Sequence, residues 1–347
     1  MTSHGGNGAS GAEVRAKLDH PVVDADGHMI ECTFAVLDFV RQVGGMEIAN
    51  RYEDQLKLDP TGSGRRAVWV GNSGPGSIDR ATAMLPKLYR ARLDEAGIDY
   101  GVVYGTLALS VLRVDDDELR PVVFRAMNML YADMFKEVSD RLTPAALIPM
   151  SDPDEAVSEL EFAVNELGLK AIVVNTMLQR PAPEVLAEAP HLAHLSLDLT
   201  SPGIDVGHVY DPVWAKCVEL GVPVILTMGP LVGKWAHPEA VHNVAVDLPD
   251  LEIVCSHGVW PQVTELIALA YRHQNVYLEA SIYEFLPGAE PIFEAANGIL
   301  QDKIIYASGF PFRPLDDLHR FLEHPFDREV IQKLVYGNAA RLLKLDT

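Results

Sequence analysis

Eight short apolar runs, most of them separated by a stretch long enough for a helix, constrain the fold of this chain more than any other feature. They are PVVDADGH (21–28), YGVVYGT (100–106), TPAALIPM (143–150), AIVVNT (171–176), VPVILTM (222–228), EIVCSH (252–257), VYLEAS (276–281) and KIIYASGF (303–310). They are rich in Val and Ile and bounded by Gly, Pro or Asp, as strands are. Near-continuous apolar character is what parallel strands covered on both faces require. Between them lie amphipathic segments. DDELRPVVFRAMNMLYADMFKEVSD (116–140), DPDEAVSELEFAVNELG (152–168) and DPVWAKCVELG (211–221) open with Asp at an N-cap, and the last two close with Gly at a C-cap. PQVTELIALAYRHQN (261–275) and REVIQKLVYGNAARLLK (328–344) continue the series. Eight strand–helix units predict a (β/α)8 TIM barrel over residues 20–347 as a single domain, with an open doubly wound sheet as the alternative.

Two segments break the spacing. Residues 32–98 separate the first two strands, and residues 177–210 separate the fourth strand from its helix. Both insertions follow a strand, so both belong to the end of a barrel where active sites form, and both are expected to cap a substrate pocket. Residues 1–19 read as a disordered Gly/Ser/polar tail, without the apolar centre of a secretory signal. A formal charge of −21 disfavours nucleic acid or an anionic membrane as partner. No apolar run is long enough for a transmembrane helix. Cys32, Cys217 and Cys255 show no CxxC spacing, which argues against a disulfide framework and for a reducing, cytoplasmic setting.

The first strand ends Asp24-Ala25-Asp26-Gly27-His28. Side chains alternate along a strand, so Asp24, Asp26 and His28 are expected on one face, where a carboxylate and an imidazole hold a divalent cation or share a proton. His257 ends the sixth strand before a glycine, a position for a general acid or base. Glu279, near the end of the seventh strand, is a further proton acceptor. Arg313 after the eighth strand and Arg180 after the fourth are candidates to clamp a substrate carboxylate. His191, His194 and His208 fall in the second insertion and read as lid or surface residues. Trp69, Trp235 and Trp260 are candidates for an apolar pocket wall. No phosphate-binding glycine loop or nucleophile elbow is present.

VVDADGHMIE, together with RLDEAGIDYGVVYGT (92–106), AALIPMSDPDEAVSELEFAV (145–164), YDPVWAKCVELGVPVILT (210–227), IVCSHGVWPQ (253–262) and YGNAARLL (336–343), resembles the amidohydrolase-related family of metal-dependent hydrolases, decarboxylases and hydratases. The resemblance implies a (β/α)8 barrel, one divalent ion (zinc or manganese) and a small-molecule substrate, with a homodimer as the family expectation. It places metal ligands at Asp26, His28 and His257. It also puts Thr227 where the fifth strand carries a His, and Gly309 where the eighth carries an Asp. Glycine supplies no donor and a threonine hydroxyl is a poor zinc ligand, so the metal site is expected to be atypical or absent. Glu31 and Glu279 are the nearest replacements in sequence. Thr227 is then a substrate-binding candidate. The expected activity is hydrolysis of a small carboxylated or cyclic compound. The alternatives are decarboxylation or hydration, and a non-catalytic binding descendant.

Overall fold

A computed structural model of the protein describes residues 9–58, 76–106, 111, 114, 116–175, 178–190, 197–200, 204–205, 207–228 and 237–345. The strands are β1 (Val23–Met29), β2 (Tyr100–Gly105), β3 (Leu142–Pro144), β4 (Ala146–Leu147), β5 (Ile172–Asn175), β6 (Leu178–Pro181), β7 (Leu197–Thr200), β8 (Val224–Thr227), β9 (Ile253–Cys255), β10 (Val276–Glu279) and β11 (Ile304–Ile305). All except β6 and β7 pair in parallel, in the order β1-β2-β3 and β4-β5-β8-β9-β10-β11. β3 and β4 are one stave of the barrel, interrupted at Ala145. A parallel bridge between Gly27 and Phe310 joins the last stave to the first. The result is a closed (β/α)8 barrel in which each of the eight staves overlaps one of the eight apolar runs of the sequence.

Period-two burial on both faces of the barrel explains why those runs are apolar throughout. Ile225, Val254 and Tyr277 pack into one hydrophobic cluster, while their strand neighbours Val224, Leu226, Ile253, Cys255, Val276 and Leu278 pack into another. At the third stave the partner strand changes between β3 and β4, and the buried Asn128 fills the gap. Its side chain accepts from Leu147 N–H at 2.8 Å, donates to Leu147 C=O at 2.9 Å and donates to Glu159 at 2.8 Å.

Three features depart from expectation. Residues 11–15 are helical, with Ser10 and Glu13 forming a reciprocal capping box, and Gly11 N–H donates to Asp316 at 2.6 Å. The expected disordered tail therefore does not extend to residue 19; residues 1–8 lie outside the described residues. The first insertion contains helices at Thr33–Leu58, Gly76–Met84 and Pro86–Ala96. The second contains the antiparallel hairpin β6–β7, whose strands are polar enough to escape an apolar-run reading. Among the described residues no helix is long and apolar enough to cross a membrane.

Barrel closure depends on the segment after β11. His28 N–H donates to Phe310 C=O at 2.6 Å, Gly309 N–H to Asp26 C=O at 2.8 Å and Ala25 N–H to Tyr306 C=O at 3.1 Å. Gly309 has φ +63°, and a Cβ there would lie 2.6 Å from Ile282 Cγ1 and 3.1 Å from Ile282 N. No aspartate fits this position as the neighbouring loop stands.

Two predictions follow from this packing. Asn128→Ala strips partners from a buried N–H and a buried C=O and should destabilise the fold by roughly 2–5 kcal/mol. Urea unfolding reads this as a lower midpoint, and an unchanged midpoint would refute the role given to Asn128. Gly309→Asp imposes a left-handed conformation that alone is worth about 1–2 kcal/mol, plus the collision with Ile282. Its melting temperature should fall and be partly restored by Ile282→Ala. A Gly309→Asp protein that melts like the parent would contradict the crowding.

Candidate functional site

The staves β1, β9, β10 and β11 deliver the site at their C-terminal ends. The register of β1 against β2 slips between Asp24 and Gly27, so two residues, Ala25 and Asp26, oppose Val102 alone. Such a bulge re-aims a side chain, which qualifies the simple alternation expected of Asp24, Asp26 and His28. Tyr104 steadies it by donating its hydroxyl to Ala25 C=O at 2.7 Å. Asp24 is turned to the last stave, where Ser308 donates N–H at 2.8 Å and its hydroxyl at 2.6 Å. Burial pushes the Asp24 carboxyl up to about 6.

Asp26 is fully buried and lies between two histidines. Its Oδ1 is 3.0 Å from His28 Nε2. Its Oδ2 accepts the Ser281 hydroxyl at 2.5 Å and lies 3.3 Å from His257 Nδ1. The two imidazole rings are nearly parallel, with centroids 6.5 Å apart. Residues of the first and sixth staves thus converge as the barrel geometry requires. Burial alone would raise the Asp26 pKa, but the charges and close approach of His28 and His257 outweigh it and hold the carboxyl well below its usual range. Burial likewise opposes protonation of His257, and the bond to Asp26 with the charges of Asp26 and Glu279 overcomes it, raising the imidazole.

His257 sits in the left-handed region at φ 59° and ψ 22°, followed by Gly258 and Val259, also at positive φ. A non-glycine residue held there stores about 1–2 kcal/mol of strain and is a mark of functional turns. Glu279 holds the turn: its Oε2 accepts His257 N–H at 2.9 Å, and its Oε1 accepts Ser281 N–H at 2.5 Å. Burial and the charge of Asp26 push Glu279 up to about 7. Aromatic rings complete the surround. Tyr104 and Phe312 meet His28 edge-on, with centroids 5.5 and 4.9 Å away, and Tyr283 meets His257 at 5.7 Å. Trp260 stacks on Tyr283.

These residues suit a divalent cation. Asp26 Oδ1 and both nitrogens of His28 are buried without a hydrogen-bond partner among the described residues, since the 3.0 Å approach of Oδ1 to Nε2 is poorly aligned. Adjacent donors on an octahedral ion with bonds near 2.1 Å lie about 3 Å apart, which matches that separation. Asp26, His257 and Glu279 also present ligand atoms within 4.8 Å of one another. The donor set therefore survives the absence of side-chain ligands at Gly309.

The remaining candidates lie as follows. Thr227 ends β8, half-buried, and the next residue, Met228, donates N–H to Ser256 Oγ at 3.1 Å, tying β8 to the turn of His257. Arg313 donates to Asp317 at 2.7 Å and lies over Phe285 at 4.3 Å, leaving Nη2 buried without a partner among the described residues. Glu31 accepts the Tyr131 hydroxyl at 2.6 Å. The side chains of Arg180, His191, His194, His208, Trp69 and Trp235 lie outside the described residues. Sequence reasoning missed Ser281, Ser308, Tyr104, Tyr283 and Phe312. Ser281 was discoverable: it follows Glu279 by two residues, on the same face of an extended segment.

The amidohydrolase family model matches residues 23–345. The chain is 25% identical over 287 residues to the gamma-resorcylate decarboxylase of Polaromonas sp. JS666, covering 74% of this chain and 87% of that protein. The TIM-barrel protein Bb4693 from Bordetella bronchiseptica is 25% identical in sequence. It superposes with a TM-score of 0.61, covering 94% of this chain and 99% of that one. The dihydroxybenzoic acid decarboxylase of Polaromonas sp. JS666, solved with manganese and 2-nitroresorcinol, superposes with a TM-score of 0.63 at 19% identity over 94% of this chain and 98% of that one, a likeness of fold. With the match spanning nearly every described stave and helix, the chain belongs to the amidohydrolase family of enzymes.

Proposed function

We propose that the protein is a metal-assisted decarboxylase of a small aromatic carboxylic acid, a hydroxybenzoate above all. The observation that carries this reading is the pair of near-parallel histidines, joined by a buried carboxylate and ringed by Tyr104, Phe312 and Tyr283. Flat aromatic walls suit a planar ring, and the relatives at 25% and 22% identity are gamma-resorcylate decarboxylases. Hydrolysis, favoured from the sequence, takes second place because those relatives break a carbon–carbon bond.

Asp26 and His28, with His257 and Glu279 as the neighbouring candidate donors, are the residues that would hold a divalent ion, manganese in the first instance. When bound, the ion supplies positive charge that binds and polarises substrate oxygens. The chain's own residues then account for the remaining needs. Loss of carbon dioxide leaves the bonding electron pair on the ring carbon, which must take up a proton. His257, raised by Asp26, is the group able to carry that proton to a substrate lying beside its ring. Phe312 and Tyr283 shield the reacting carbon from water. Arg313, through its unpartnered Nη2, is the candidate to meet a second polar group on the substrate. The three free cysteines accord with a cytoplasmic enzyme.

The test is direct. Purified protein supplied with Mn²⁺ and 2,6-dihydroxybenzoate should release carbon dioxide and form resorcinol, with activity lost on chelation and restored by the metal. His257→Asn should lower kcat by roughly 10²–10⁴-fold. Turnover of ester, amide or lactone substrates, with no carbon dioxide from any hydroxybenzoate, would overturn the assignment.

A further inference from the structure

The four ionisable residues of the site form two donor groups that share Asp26, and the structure treats them differently. One group is Asp26 Oδ1 and His28 Nε2, 3.0 Å apart and both without a well-aligned hydrogen bond among the described residues. The other is Asp26 Oδ2, His257 Nδ1 and Glu279 Oε2, a compact trio with Nδ1 3.3 Å from Oδ2 and 3.8 Å from Oε2.

The trio of Asp26, His257 and Glu279 is already satisfied. Ser281, fully buried, places its hydroxyl 2.5 Å from Asp26 Oδ2 and 2.8 Å from His257 Nδ1. An ionised carboxylate only accepts, so the one hydroxyl proton of Ser281 goes to Asp26. Ser281 Oγ must then accept from His257, and Nδ1 carries a hydrogen. A protonated ring nitrogen is not a metal ligand. Glu279 is engaged as well, both of its oxygens accepting backbone N–H groups of His257 and Ser281. A cation between these groups would have to expel a proton and displace the hydroxyl. At the Asp26–His28 pair it would displace no hydrogen bond made by the described residues.

We infer that Ser281 divides the site. It closes the Asp26–His257–Glu279 trio to metal, directs the divalent ion to the Asp26–His28 edge, and fixes His257 as the Nδ1–H tautomer so that Nε2 is the ring nitrogen free for substrate. Ser281 is thus a positioning residue, acting through His257 and Asp26. The inference rests on the metal-assisted reading above and refines it: the ion belongs to Asp26 and His28, and proton transfer belongs to His257.

The experiment separates the two claims because its first two readouts need no substrate. Mn²⁺ binding is titrated by electron paramagnetic resonance on the parent, His28→Ala and Ser281→Ala proteins. The histidine ring nitrogens are read by ¹⁵N NMR on the metal-free and Mg²⁺-loaded forms. One Mn²⁺ should bind the parent, His28→Ala should weaken it by on the order of 100-fold, and Ser281→Ala, which removes only a hydrogen bond to Asp26, should weaken it by no more than about tenfold. The parent should show His257 protonated at Nδ1 and bare at Nε2; Ser281→Ala should lose that single tautomer, and Ser281→Thr should regain it. With a turned-over hydroxybenzoate, Ser281→Ala should lower kcat while KM holds. Absence of decarboxylation leaves the binding and NMR results intact as the test of Ser281. Three results overturn the inference: a bare Nδ1 in the parent, Mn²⁺ affinity that follows Ser281 instead of His28, or no Mn²⁺ bound by a folded parent. Circular dichroism of each variant confirms folding, and Ser281→Thr supplies the comparison if Ser281→Ala does not fold.

Discussion

A single carboxylate, Asp26, buried between two imidazoles, is the interaction on which the site depends. Removing an ionised carboxylate from water is unfavourable by several kcal/mol even after the surroundings relax. Asp26 is nevertheless fully buried. The opposing terms are all visible: one oxygen faces His28, and the other takes the Ser281 hydroxyl and faces His257. Two partners on one oxygen and an incomplete one on the other make the carboxylate asymmetric. Its well-bonded side fixes a histidine, and its poorly bonded side is left to meet a ligand.

The barrel supplies this asymmetry through backbone irregularities at four stave ends. The slip of β1 against β2 carries Asp26, a left-handed turn after β9 carries His257, and Glu279 at the end of β10 holds that turn by its N–H. After β11, Gly309 lies against Ile282 and bonds to Asp26 C=O. The replacement at Gly309 is therefore part of the packing that seals the first stave to the last. A donor lost from one stave is answered by a changed division of labour among the others.

Much of the fold was legible because its cause is local and repetitive. Parallel staves buried on both faces must be apolar throughout, so all eight runs announced themselves, and their ends located Asp26, His28, His257 and Glu279. The hairpin β6–β7 was not legible, because LQRP and LDLT carry too few apolar residues to stand out. The helix at Gly11–Arg15 was masked by the Gly/Ser-rich residues before it. Ser281 and Ser308 were passed over for a different reason: a serine gains its role only from what the fold brings to within 3 Å. Spacing from Glu279 puts Ser281 on the face of the site, but nothing beside either serine names its partner, 255 or 284 residues away. Arg313 read as a free clamp, whereas Asp317, one helical turn later, takes part of its guanidinium.

Anomalous diffraction at the manganese edge, from crystals grown with Mn²⁺, measures the division of the site most directly. The predicted map has one peak beside Asp26 Oδ1 and His28 Nε2, with the Ser281 hydroxyl still bonded to Asp26 and His257. A peak enclosed by Asp26, His257 and Glu279, with Ser281 turned away, would contradict it.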